Sequence, residues 1–233
     1  MAHGLVRKTK SMNRTDIEEC MRILAGERPG FHSEADFQHE LAMGLRKEGR
    51  SVRLEVPTKI TLNAVADLKS EVDIVIRERE EVTVIELKYV TMEDSINHGG
   101  EDFNLGKNWG TNLSRFDCLA DLHRVEAMKS SPLGAKRGFS IFLTNAEDAW
   151  TARAPGKPIM AEEFRIHEGH RLVPGSLDWN PPSPSVGSVS KKRLHPFSPI
   201  QISAEQSCIW RDYSNVTNTK GGNLQFRYLL LEA

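Results

Sequence analysis

The chain has 233 residues, 27% charged and 39% hydrophobic, with a formal net charge of −1 at pH 7; it can bury a core as one domain, but it lacks the basic surplus of a non-specific nucleic-acid coat, so any basic surface must be local. Its three cysteines, Cys20, Cys118 and Cys208, are far apart and without metal-ligand spacing, which excludes a disulfide framework and a cysteine zinc cluster and fits a reduced compartment. No apolar run approaches the ~20 residues of a membrane-spanning helix and the start carries no signal-peptide core, so a cytoplasmic protein without membrane association is expected.

The first periodic segment is 14–26. Thr15 and Glu18 have capping-box spacing, Ile17, Met21 and Leu24 form an apolar stripe, and Gly26 and Pro29 end it. A second helix is expected to open at Ser33, with Asp36 at the reciprocal capping position, and to run through Glu48 to a stop at Gly49. Phe37, Leu41 and Leu45 form its stripe; Glu34 falls within that stripe in the first turn, Gln38 lies near its edge and Glu40 points away. An acid there also favours the helix dipole, which is the ordinary reading of Glu34. Residues 50–57, with Val52, Leu54 and Val56 alternating, read as a strand, and 59–67 as an extension or a loop.

Two stretches then read as strands covered on both faces, Val72-Asp73-Ile74-Val75-Ile76 and Val82-Thr83-Val84-Ile85-Glu86-Leu87-Lys88-Tyr89-Val90. An isolated buried ion costs several kcal/mol, so Asp73, Glu86 and Lys88 must be paired or hold a ligand. The connection Glu78-Arg79-Glu80-Glu81 is short and charged, and a hairpin centred on Arg79-Glu80 makes partner numbers sum to 159. Asp73 then stands opposite Glu86 with Cβ atoms roughly 5 Å apart, and Lys88 shares their face at roughly 7 Å. A slip of one residue would separate the two carboxylates. Two acids this close repel unless a cation lies between them, and Mg²⁺ or Mn²⁺ takes such oxygen donors, with the main-chain carbonyl of Leu87 as a further candidate.

Residues 91–111, with Gly99-Gly100, Gly106 and Gly110, are too long and irregular for an ordinary connection; His98, Lys107, Asn108 and Trp109 are candidate contacts to a nucleic-acid backbone or base, against the alternative of a flexible surface loop. A helix over 112–130 places Asp117, Asp121, Arg124 and Met128 on one face, either as ionic structure or near a site. Residues 138–145 form a buried strand. Further on, 163–166 and 171–173 suggest a hairpin turned at Glu168-Gly169, residues 174–199 a Pro/Ser-rich loop, and 199–203, 207–213 and 224–231 strands. Trp210, Asp212 and Tyr213 are read as core aromatics or substrate contacts. The basic runs Arg7-Lys8-Lys10, Lys136-Arg137 and Lys191-Lys192-Arg193 are solvated charge or phosphate contacts.

Asp73 followed by Glu86-Leu87-Lys88 on the next strand resembles the signature of the PD-(D/E)XK nuclease superfamily, with Val72 in place of the usual proline. The resemblance covers roughly 31–145 and implies an α/β fold: a restriction-endonuclease-like αβββαβ core, its central mixed sheet flanked by helices. The helix at 14–26 and a β-rich extension over 160–233 would elaborate a single nuclease-like domain. It implies Mg²⁺-dependent (Mn²⁺-compatible) phosphodiester hydrolysis, with DNA as the substrate and a 5′-phosphate product. Asp73 and Glu86 would hold the metal, and Lys88 would face the attacking water and the scissile phosphate. An acid on the preceding helix often faces the site in this superfamily, which makes Glu34 the fourth catalytic candidate and Gln38 a substrate contact. The alternatives are a nuclease-fold module that binds nucleic acid or a partner protein without turnover, and a structural Glu86–Lys88 ion pair. A homodimer or an accessory protein is compatible with either use of the fold.

Overall fold

A computed structural model describes residues 12–46, 50–108, 110–154, 156, 159–180 and 198–233. Glu48, Gly49, Trp109 and the basic runs at 7–10 and 191–193 lie outside the described residues.

Helix α1 (Arg14–Glu27) is capped two residues earlier than the Thr15/Glu18 spacing predicts: Asn13 is the N-cap and Asp16 closes the capping box. Its buried side chains, Ile17, Cys20, Met21 and Leu24, are those of the predicted stripe plus Cys20. Helix α2 (Glu34–Leu45) is capped by the Ser33 side chain, while the Asp36 carboxylate reaches past the cap to the backbone N–H of His32 and to Arg28.

Strands β1 (Arg50–Leu62) and β2 (Val65–Glu78) form one long antiparallel hairpin closed by Asn63-Ala64, both at positive φ, so 59–67 is strand and turn rather than loop. Strand β3 (Glu81–Val90) pairs with β2 as Ile74↔Ile85, Val75↔Val84 and Ile76↔Thr83, the register predicted from the charged turn. After β3 the chain forms a small hairpin, β4 (Asp94–His98) and β5 (Glu101–Leu105), turning at Gly99-Gly100 with both glycines at positive φ. This replaces the irregular loop expected there. The hairpin is ordered because Ile96, Phe103 and Leu105 are buried in the core and the Phe103 ring stacks on His32.

Helix α3 (Thr111–Lys129) leads to β6 (Arg137–Thr144), which runs parallel to β3 from Thr83↔Arg137 to Val90↔Thr144. Gly138 permits the close approach of α3: a Cβ there would lie 2.1 Å from Val125 Cγ1. After the short α4 (Glu147–Trp150), the expected hairpin at 163–173 does not form. Glu162–Phe164 is a 3-10 turn, and β7 (Arg171–Leu172) pairs with the distant β10 (Gln206–Ser207), just as β8 (Gly175–Leu177) pairs with β9 (Ile200–Ile202). Strands β11 (Trp210–Thr217) and β12 (Asn223–Glu232) pair with each other, and β12 pairs with β6.

The protein is thus α/β with a central mixed sheet of six strands in the order β1-β2-β3-β6-β12-β11. The C-terminal strands complete this sheet instead of standing apart as an extension. Alternation along β3 divides the layers: Ile85, Leu87 and Tyr89 pack with α1 and α2, while Val82 and Val84 face α3. Trp210 is core, buried with its indole N–H on the Ile166 carbonyl, and Tyr213 donates its hydroxyl to Arg28 O; Asp212 is an exposed partner of Arg227. A triad of half-buried Asp16 with the buried Arg50 and Glu78 side chains ties α1 to the end of the β1–β2 hairpin away from its turn. No helix among the described residues is long and apolar enough to cross a membrane.

Candidate functional site

The β2–β3 ladder stops at Ile74↔Ile85, one pair short of Asp73 and Glu86. There Asp73 replaces a main-chain rung: its Oδ2 accepts the Leu87 N–H at 2.6 Å, and its own carbonyl accepts from Gln38 Nε2 at 2.8 Å. The β1–β2 ladder is interrupted at the same level. Leu54↔Ile74 and Val56↔Val72 flank Glu55 and Asp73, and Glu55 has φ 50°, a left-handed backbone that costs a non-glycine residue about 1–2 kcal/mol. Gln38 Nε2 also donates to Glu55 Oε1 at 2.6 Å, stitching the kink together. Above the kink the hairpin turns over: Val52 and Ile74 pack in the α2 layer, whereas Val56 and Val72, of the same parity, pack against α3. Asp73 therefore sits where a two-stranded arm leaves the sheet.

Asp73, Glu86 and Lys88 share the face covered by α3, which supplies Asp117, Asp121 and Arg124. Glu86 is 1% exposed. Its Oε2 meets Arg124 Nη1 at 2.9 Å, and the same nitrogen contacts Asp121 Oδ1 at 3.2 Å. Arg124 Nη2 reaches the arm, donating to Ser70 Oγ at 3.0 Å and to the Glu71 carbonyl at 2.9 Å. Glu34 approaches from the α2 side: its Oε2 accepts the Tyr89 N–H at 2.7 Å and its Oε1 lies 3.5 Å from Lys88 Nζ. Glu86 and Lys88 thus have separate partners, Arg124 and Glu34, instead of forming the ion pair considered above.

Burial, with added repulsion from Asp121, pushes the Asp73 carboxyl up to about 7 against the pull of the Leu87 N–H. Burial raises the Glu86 carboxyl well above the ordinary range; Arg124 opposes this, and Asp73 and Asp121 add to it. Burial disfavours the Lys88 ammonium, but Asp121, Glu34, Asp117 and Asp73 outweigh it and hold the amine charged beyond its usual range. Lys88 is therefore a donor and not a base.

Five carboxylates, Glu34, Asp73, Glu86, Asp117 and Asp121, surround two cations, Lys88 and Arg124, so the cluster carries excess negative charge when ionised. No three acidic, histidine or cysteine side chains among the described residues form a ready-made metal cage. Mg²⁺ does not require one, since it binds through one or two carboxylates and keeps several waters. The donor set fits such an ion: Glu86 Oε1 is buried and has no hydrogen-bond partner among the described residues. Leu87 follows Glu86 on β3, with its N–H held by Asp73 and its side chain in the α2 layer.

A cleft of about 490 Å³ opens beside Lys88, lined by Glu34, Lys88, Thr91, Asn108, Gly110 and Asp117. Of the predicted substrate contacts, Asn108 lines this cleft while its Oδ1 accepts the Thr91 N–H, and Lys107 is exposed next to it. Gln38 is buried and committed to Asp73 and Glu55, so it positions the site instead of reaching into the cleft. Lys136-Arg137 lies at the far end of the sheet among Glu78, Glu80, Glu81 and Glu232, an acidic setting unsuited to a phosphate track. Arg124 and Glu55 join the site beyond the residues that the sequence assigns to it. The i, i+4, i+7 line Asp117–Asp121–Arg124 carries the signal for Arg124, whereas nothing in the alternation of β1 marks Glu55. Comparisons with family models, with curated proteins and with solved structures returned no match.

Proposed function

We propose that the protein is a divalent-metal-dependent nuclease of the PD-(D/E)XK type that hydrolyses phosphodiester bonds, with DNA as its substrate. The observation that carries this reading is the end of the hairpin ladder: Asp73 and the buried Glu86 come next after its last pair, Ile74↔Ile85, where the strands part, and Lys88 lies beside an open cleft. A divalent cation held by Asp73 and Glu86 would polarise the phosphate and lower the pKa of an attacking water. Lys88, kept charged by the surrounding acids, would orient that water and stabilise negative charge developing on the phosphate. Glu34 fixes Lys88 through its own hold on the Tyr89 N–H, a positioning role that leaves it little freedom to place a second ion. Gln38 and the strained Glu55 hold the Asp73 carbonyl and so the direction of its carboxylate.

One observation favours a second reading, a nuclease-fold module without turnover: Arg124 already supplies a positive partner to Glu86. Divalent-ion binding separates the two. Saturable Mn²⁺ binding that disappears in Asp73→Ala supports the enzyme; a wild-type protein that takes up no Mn²⁺ supports the module.

A further inference from the structure

Three carboxylates of the cluster share one pattern. Asp73 commits Oδ2 to the Leu87 N–H, Glu86 commits Oε2 to Arg124, and Asp121 commits Oδ1 to the same Arg124 nitrogen. Among the described residues the second oxygen of each has no hydrogen-bond partner. For Glu86 and Asp121 this is costly, because Glu86 Oε1 and Asp121 Oδ2 are both buried and neither has a hydrogen-bond partner among the described residues. A buried oxygen left unsatisfied costs ~1–3 kcal/mol, and more where it is charged, so two in one cluster call for an explanation. Arg124 does not provide it. Its Nη1 bridges the two acids on one side and its Nη2 is anchored to Ser70 and Glu71, so the guanidinium fixes their spacing and leaves one oxygen of each without a partner.

We propose that Asp121 of α3 is a third oxygen donor to the divalent cation, and that Arg124 is the positioning residue that presents Glu86 and Asp121 to it together. This rests on the nuclease reading but goes beyond the two strand carboxylates, since it places a ligand on the helix between β3 and β6. The acids of that helix face are not equivalent. Asp117 lies one turn nearer the cleft, where it contributes to the field on Lys88, and it does not share Arg124 in the way Asp121 does. Because Mg²⁺ and Mn²⁺ retain bound waters, three donors from β2, β3 and α3 need not close into a tight cage before the ion arrives.

The test is Mn²⁺ binding to the full chain, read as the loss of the free-ion EPR signal with no nucleic acid present, for wild type, Asp121→Asn and Asp117→Asn. The amide introduced by Asp121→Asn would retain an oxygen for Arg124 and remove a like charge, so the variant folds; denaturation in chelator checks this. Asp121→Asn is expected to weaken Mn²⁺ binding by more than about 100-fold, beyond the roughly 10–100-fold that losing an outer partner of a metal ligand costs. Asp117→Asn, which removes a like charge from the same helix face one turn away, is expected to weaken binding by less than Asp121→Asn does, because a charge that only adds to the field acts without a bond to the ion. Equal affinities for wild type and Asp121→Asn, or equal losses in the two variants, would overturn the assignment of Asp121 and leave the nuclease reading standing. A wild-type chain that binds no Mn²⁺ would overturn both.

Discussion

Replacing Asp73 with Asn should make the metal-free protein more stable, because the site carries charge that the fold does not need. Burial first, then repulsion from Asp121, pushes the Asp73 carboxyl up to about 7 from its ordinary 3.8, even though the Leu87 N–H pulls the other way. The folded state therefore holds this proton more tightly than the unfolded chain does, and stability is lost as pH rises from about 4 through 7. At ~1.36 kcal/mol per pKa unit the gap corresponds to about 4 kcal/mol, which relaxation of the site reduces to about 1–3 kcal/mol. The Asn side chain keeps an acceptor for the Leu87 N–H but carries no charge. In urea denaturation with chelator, Asp73→Asn should exceed wild type by about 1–3 kcal/mol at pH 8, and the difference should shrink toward pH 5. Added Mg²⁺ should stabilise wild type alone and narrow the gap at pH 8. A variant less stable than wild type at pH 8 in chelator, or a difference independent of pH, would refute the claim that Asp73 is a destabilising charge awaiting a cation.

Arg124→Ala removes the partner of buried Glu86 and of Asp121 and should cost about 3–5 kcal/mol in chelator; millimolar Mg²⁺ should restore part of this in thermal denaturation, since the ion supplies the missing positive charge. Lys88→Ala should lower the rate of any metal-dependent cleavage by about 10²–10³ while leaving Mn²⁺ affinity near that of wild type, the signature of a group acting on the phosphate. Glu78→Ala strips Arg50 of its main buried partner and should destabilise by about 3–5 kcal/mol without altering Mn²⁺ affinity, because Glu78 ends β2 five residues beyond Asp73, roughly 17 Å along the strand. Gly138→Ala forces a methyl against the β-branched Val125 and should lower stability by about 1–3 kcal/mol in denaturant titration.

The part of the site carried by local pattern is legible in the sequence. A charged four-residue link between two apolar strands implies a register summing to 159, and the pairs Ile74↔Ile85 and Glu78↔Glu81 obey it. Glu34 is legible because its position on the helical wheel is local information. What escapes is set by partners distant in the chain. Arg124 and Asp121 are visible as one helix face, but the sequence cannot say that this face lies over Glu86, 35 to 38 residues away in number. Glu55 is hidden because its left-handed backbone is imposed by the turning arm and by Gln38, against its own propensity. In the fold, Gly99-Gly100 between Ile96 and Phe103 is a hairpin signal masked by the polar residues around it. The pairing of β7 with β10 is illegible because each strand has two residues, too few for periodicity to register.

The chemistry proposed for Asp73, Glu86 and Lys88 is metal-dependent cleavage of a phosphodiester bond. Its most direct test is incubation of the purified chain with duplex, single-stranded and branched DNA in Mg²⁺, in Mn²⁺ and in chelator, with Glu86→Gln and Lys88→Ala in parallel. Cleavage of at least one DNA form should require the divalent ion, be abolished in Glu86→Gln and be strongly reduced in Lys88→Ala. Absence of cleavage of every form in both metals, or undiminished cleavage by the two variants, would contradict it.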